Sequence, residues 1–169
     1  IGKSFFIKNK CIGGVYMKNH TEQVVEVKKE AVEFFLNLKG NCTEAILYTL
    51  KRQLDLPLTE DQLAIATGFG GGMNSGCACG ALTGAIMAVS LETGRRPGQP
   101  SENPPRATVL AGEMVEYFKE QNRMTCCRGL IPGLKKGDPE RKKRCSVFVE
   151  QMSGKAAEII LTEREKALK

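Results

Sequence analysis

The sequence predicts an all-α fold: a single domain of five to six packed helices with a glycine-rich loop. Three observations predict it. Apolar residues recur at helical spacing along most of the chain, capping residues and glycines stand where helices would start and stop, and no segment shows the sustained period-two alternation of a half-buried strand. No Asn-Gly type of turn separates two β-branched runs, so a sheet is not expected, and no internal repeat is present. At 169 residues the chain can bury roughly 70% of its unfolded surface, enough for a real core.

The first helix spans Thr21 to Leu38, where Val24, Val25, Ala31, Val32, Phe34, Phe35 and Leu38 alternate with Glu and Lys at helical spacing. Gly40 ends it. Asn41, followed three residues later by Glu44, is a capping pair that opens a second helix reaching about Leu54. Thr59 with Gln62 repeats the signature before a short helix ending near Thr67. Gly68 to Gly76 reads as a flexible loop, and Ala78 to Thr93 as a helix stopped by Gly94. Pro97 to Pro105 is an extended connection, with Pro105 suited to the first turn of a helix reaching about Gln121. Met124 to Pro139 reads as a loop, and the last helix runs from about Glu140 to the terminus.

Residues 1–20 are expected to be a flexible tail ahead of a helical domain at 21–169. Lys3, Lys8 and Lys10 interrupt its opening stretch, which lacks the apolar core and cleavage site of a signal peptide. Met17 is followed by a polar Lys-Asn-His-Thr stretch, so residues 1–16 are expected to precede the natural start or to be foreign to it. The composition, 41% hydrophobic and 26% charged with no tryptophan, is that of a globular protein. No apolar run approaches the ~18 residues of a bilayer span, so membrane insertion is not expected.

The net charge of +6 is concentrated. Arg123, Arg128, Lys135, Lys136, Arg141, Lys142, Lys143 and Arg144 face only Asp138 and Glu140, and the rest of the chain is neutral. Such a segment can be a solvated face, or can meet nucleic acid, an anionic surface or an acidic protein. Nucleic acid is disfavoured because no aromatic residue is interleaved for base stacking.

Seven cysteines stand out: Cys11, Cys42, Cys77, Cys79, Cys126, Cys127 and Cys145. An odd number without a secretory signal argues for reduced thiols and a cytoplasmic setting. Cys42 lies on the apolar stripe of the second helix with Ala45, Ile46, Thr49 and Leu50. Cys79 shares a stripe with Leu82, Ile86 and Val89, and Cys145 with Phe148, Val149 and Met152. Each is expected near a helix start, where the dipole and free N–H groups would lower the thiol pKa from ~8.5. Cys126 or Cys127 supplies a fourth sulfur from a basic loop. Taken singly, each buried cysteine is equally a small apolar core residue. Their common placement on three helices points to a shared site.

The glycines between Gly68 and Gly84 do not make a nucleotide loop, because no Lys-Ser or Lys-Thr follows and the dinucleotide spacing fails at Met73 or Ser75. Gly80, Gly84 and Ala88 instead form a small-residue stripe for close approach of a helix or cofactor, while the upstream glycines can bring backbone N–H groups to the sulfurs. His20 is the only histidine and stands in a polar lead-in. That leaves Ser-His-Asp catalysis, Cys-His catalysis and histidine-rich zinc sites little support.

Cys79-Gly80-Ala81-Leu82-Thr83-Gly84, preceded by Gly-Phe-Gly-Gly-Gly-Met, resembles the CGAxxG core of a family of bacterial and archaeal proteins regarded as redox-active and named C_GCAxxG_C_C after its cysteines. The resemblance implies that Cys42, in Gly-Asn-Cys, is the first family cysteine, that Cys127, in Cys-Arg-Gly-Leu, is the third, and that Cys145 is the fourth. It covers about residues 25–162 and leaves Cys11, Cys77 and Cys126 as extras. It implies a helical domain related to the iron–sulfur part of split-Soret cytochromes, associated with oxidoreductases or transporters. No Cys-x-x-Cys-His motif is present for haem.

The leading expectation is that Cys42, Cys79, Cys127 and Cys145 bind a [2Fe–2S]-type cluster in an electron-transfer or redox-sensing module that serves a partner oxidoreductase. This would be an accessory protein rather than a stand-alone enzyme. One alternative is a thiol–disulfide protein using Cys77 and Cys79 or Cys126 and Cys127. The other is a structural zinc site with four cysteine ligands. The small-residue helix faces would also admit a homodimer.

Overall fold

The computed structural model describes residues 11–12, 15–16, 19–37, 40–98 and 104–169. Most of the expected N-terminal tail, Leu38 and the middle of the proline-rich connection lie outside them, as does the side chain of Cys11. Within the described residues the fold is all-α apart from a minimal antiparallel ladder. In it β1 (Cys11–Ile12) pairs with β2 (Val15–Tyr16).

Five long helices carry the architecture: α1 (His20–Asn37), α2 (Cys42–Leu54), α4 (Gly80–Thr93), α5 (Arg106–Asn122) and α7 (Pro139–Ala167). Two single-turn helices, α3 (Glu60–Ala64) and α6 (Cys127–Leu130), sit in the connections. Both expected capping boxes are present. Asn41 Oδ1 accepts from Thr43 N and Glu44 N while Glu44 accepts from Asn41 N, and Thr59 with Gln62 does the same for α3. Pro105 stands one residue before α5, and Pro139 takes the first position of α7, one residue earlier than expected. Asp138 caps α7 by accepting from Glu140 N at 2.9 Å.

At 29 residues, α7 is about 43 Å long and serves as the spine against which α1, α2 and α4 pack. Its Val149, Met152, Ala156 and Ile160 are wholly buried against Val27 and Ala31 of α1, Ile46 and Leu50 of α2, and Met114 and Phe118 of α5, in one continuous core. Phe118 meets Phe148 edge to face, ring centroids 5.9 Å apart.

The C-terminal end of the spine is tied down by two bidentate pairs: Arg164 with Glu92 of α4, and Arg106 with Glu163. The Arg106 hydrogen bonds, with help from Lys166 and against the opposing effect of burial, hold the Glu163 carboxyl at about 2, down from 4.5. A carboxylate held lower in the folded state stabilises fully above its unfolded value and loses that contribution as pH falls through the folded one. Thermal melts as a function of pH should therefore show a Glu163→Gln protein losing less stability between about pH 4.5 and about pH 2 than the unaltered protein.

Candidate functional site

Four segments distant in sequence each bring one cysteine to a single open cavity of about 960 Å³, lined by Cys42, Cys79, Cys127 and Cys145 together with Phe35, Leu130 and Phe148. Cys42 is the first residue of α2, 9% exposed. The Asn41 cap reaches beyond its helix: Asn41 Nδ2 donates to Thr67 O at 3.2 Å, and Thr67 Oγ1 donates to Glu44. The glycine segment is thereby tied to the helix that carries Cys42.

Cys79 and Cys127 are brought together by backbone. Ala78 and Cys126 form an antiparallel bridge in which Cys79 N donates to Thr125 O at 2.8 Å and Cys127 N donates to Cys77 O. Adjacent residues on such a segment point in different directions, and of the vicinal pair it is Cys127 that is buried and lines the cavity. Cys126 is exposed, its thiol donating to Gly76 O at 3.3 Å. Cys77 is exposed and Cys79 buried, so each of the two alternative pairs, Cys77 with Cys79 and Cys126 with Cys127, joins one exposed thiol to one buried one. All six cysteines with described side chains are free.

Two helix positions differ from expectation. Cys79 is the residue before α4 rather than inside its first turn, and Cys145 is the seventh residue of α7, because that helix begins at Pro139. The dipole acts within the first turn, so it does not reach Cys145.

The stretch expected to be a flexible loop is tightly turned. A 3-10 turn spans Ile65–Phe69, and the chain then winds left-handed through Gly71, Gly72, Met73 and Asn74, with φ of +61°, +68°, +55° and +52°. Left-handed backbone costs most residues with a side chain about 1–2 kcal/mol but is tolerated by Asn, so the strain falls on Met73, next to Asn74, which lines the cavity. The turn is closed by bonds from Ser75 Oγ and Cys77 N to Gly72 O and pinned by Arg128, which donates to Ser75 O at 2.8 Å. A Cβ at Gly72 would lie 2.8 Å from Cys127 Cβ, so only glycine lets this wall touch that cysteine.

The expected use of the Gly80–Gly84 stripe is met by α2. Thr43, fully buried, donates to Gly80 O at 3.0 Å, and a Cβ at Gly84 would stand 3.1 Å from the Thr43 backbone. The stripe is filled within the chain and presents no surface to a second copy.

Cys79, Cys127 and Cys145 are harder to ionise than the helix-start argument predicts. Burial pushes Cys79 up to about 12, the charge of Cys42 adds to it, and the N–H groups of Ala81 and Leu82 only partly offset both. Cys145 is pushed up to about 11 by burial and then by Cys42 and Cys127, against the charge and hydrogen bond of Arg141. Cys127 is raised by burial and Cys42, again opposed by Arg141. Desolvation and mutual repulsion of nearby sulfurs outweigh the helix ends. The same repulsion means that Cys42 acts on all three of the others. With their pKa values raised, Cys79, Cys127 and Cys145 are neutral thiols near pH 7, and a bound cation would release their protons.

The thiolate is the reactive form; burial both shields Cys79 and Cys145 and holds their thiols protonated, so alkylation should separate them from the exposed cysteines. Iodoacetamide at pH 7.5, followed by peptide mass spectrometry, should label exposed Cys77 and Cys126 at least about tenfold faster than Cys79 and Cys145.

Arg141 was not singled out from sequence, although its place four residues before Cys145 on one helix face was a readable signal. Beside it, Lys136 and Lys142 line the mouth. His20 lies elsewhere, half-exposed, 3.4 Å from Glu165. Among the described residues, no three Cys, His, Asp or Glu side chains are grouped tightly enough to share one ion. No described helix is long and apolar enough to cross a membrane.

The family model described as "Putative redox-active protein (C_GCAxxG_C_C)" matches residues 40–159, a span that contains all four cavity cysteines. An uncharacterized protein of Archaeoglobus fulgidus is 33% identical over 149 residues, covering 83% of this chain and 95% of its own length. No solved structure matches the chain. Its cysteine pattern, its helical fold and the span of the match together make this chain a member of the C_GCAxxG_C_C family of redox-active proteins.

Proposed function

We propose that Cys42, Cys79, Cys127 and Cys145 hold a [2Fe–2S]-type cluster and that the protein is an electron-transfer or redox-sensing module serving a partner oxidoreductase. The observation that carries this is the convergence of four thiols, from four separate segments, on one cavity. The donor set fits the group: four sulfurs and no histidine suit an iron–sulfur cluster, which supplies one-electron exchange when bound.

The chain's own residues do the rest. Arg141 sets positive charge against the sulfurs of Cys127 and Cys145, and the N–H groups of Ala81 and Leu82 bond the Cys79 sulfur, the kind of contact that tunes a cluster's potential. Phe35, Leu130 and Phe148 shield part of the cavity from water.

Anaerobic purification, followed by visible absorption and by iron, sulfide and zinc analysis, tests the reading. Broad visible bands with about two iron and two sulfide per chain are expected. Colourless anaerobic protein carrying zinc, or no metal after reconstitution with iron and sulfide, overturns it.

A further inference from the structure

We infer that the unneutralised basic surface beside the cysteine cavity is the docking face for an acidic redox protein. The inference rests on the reading of the site as a redox centre and names the class of partner it serves.

Elsewhere among the described residues, most positive charge is answered locally. Lys28, Lys51, Arg52, Arg106, Lys119 and Arg164 are among nine lysines and arginines outside the segment 123–144 that pair with a carboxylate. Within that segment none of the eight basic side chains forms an ion pair among the described residues. Arg141 is turned to the thiols, Arg128 holds Ser75 O, and Arg144 lies over the Phe148 ring at 5.8 Å. Lys135, Lys136, Lys142 and Lys143 have no such duty, and all four are exposed. Of the two acids in the segment, Asp138 is committed to the α7 cap.

A compact run of like charge repels itself, and a merely solvated face would gain from the pairing seen on the rest of this surface. Two of the lysines, Lys136 and Lys142, stand at the mouth of the cavity, so charge and chemistry share one face. Exposed methionines border the same region. Met73, 45% exposed, precedes the cavity-lining Asn74, and Met124, 41% exposed, lies inside the basic segment. Exposed methionine is enriched at protein interfaces, and the lysines supply long-range charge rather than a buried contact. The segment 123–147 contains no aromatic residue on which a base could stack. Weak, charge-steered encounters are the usual mode of electron-transfer pairs.

The test uses an acidic flavodoxin as the probe, titrated against the full chain in both the thiol form and the iron–sulfide-reconstituted form. Binding should weaken about tenfold or more between about 20 mM and about 300 mM salt, as screening predicts. The K136E/K142E double variant should weaken it about tenfold at low salt, and K29E, outside the segment, should leave it unchanged. Because the thiol form is measured as well, failure of the cluster reading does not decide the result. No binding at low salt, binding insensitive to salt or to K136E/K142E, or tighter binding to a single-stranded oligonucleotide or to anionic phospholipid vesicles would each overturn the inference.

Discussion

Serine in place of any one of Cys42, Cys79, Cys127 or Cys145 should reduce iron and sulfide per chain more than about tenfold after anaerobic reconstitution, while serine at Cys77 or Cys126 should leave both unchanged. A hydroxyl is a far harder and less acidic donor than a thiol, so on the proposed reading each substitution would remove one of four ligands while changing volume little. Losing even a supporting contact to a metal ligand costs about 10–100-fold in affinity, and losing the ligand itself costs at least as much. The contrast within the vicinal pair is the sharper half of the experiment. Cys127 lines the cavity and is 6% exposed, whereas Cys126 is exposed and gives up only a weak bond to Gly76 O. Iron and sulfide analysis with far-UV circular dichroism on each variant separates loss of the group from loss of the fold. Equal retention in all six variants would mean that the cavity sulfurs do not act together.

The largest stability effect is expected at Gly80. A Cβ there would collide with Cys42 Sγ, stand 2.8 Å from Thr43 Oγ1 and reach 3.1 Å from Phe69 O. None of these neighbours yields easily. Cys42 and Thr43 are buried in the first turn of α2, and the Thr43 hydroxyl is bonded to the carbonyl of Gly80 itself. Gly80→Ala should therefore cost about 2–3 kcal/mol through overpacking and should displace the Cys42 sulfur as well. Gly112, in the interior of α5, is the matched control, since a Cβ there meets nothing within 4 Å. Gly112→Ala should stabilise by about 0.5–1 kcal/mol, the difference in helix propensity. Urea unfolding of the two variants beside the unaltered protein measures both effects. Similar midpoints for the two would remove the close α2–α4 contact from the account.

Much of the fold was legible because its signals are local. Asn41 with Glu44 and Thr59 with Gln62 encode helix starts within four residues, and both capping boxes formed as read. The period of the apolar residues gave the five long helices, with boundaries shifted by a residue or two. The errors arose where local pattern met a distant partner. The Gly68–Gly76 stretch looked flexible because glycine permits many conformations. Its left-handed path depends on contacts with Asn41, Cys127 and Arg128, which are remote in sequence. Cys79 looked helical by period, but its N–H is bonded to Thr125 O, and α4 begins one residue later.

By itself the sequence determined where the five long helices run, which of their faces are apolar, that Cys42 and Cys145 lie on those faces, and that the net positive charge lies in one segment. Each of these is a property of neighbours along the chain. Tertiary structure alone decided that the four sulfurs share a cavity, that Arg141 faces Cys127 and Cys145, and that the thiols of Cys79, Cys127 and Cys145 are raised rather than lowered. Ionisation responds to the burial and charges surrounding a group, and those are assembled only when α2, α4, α6 and α7 come together.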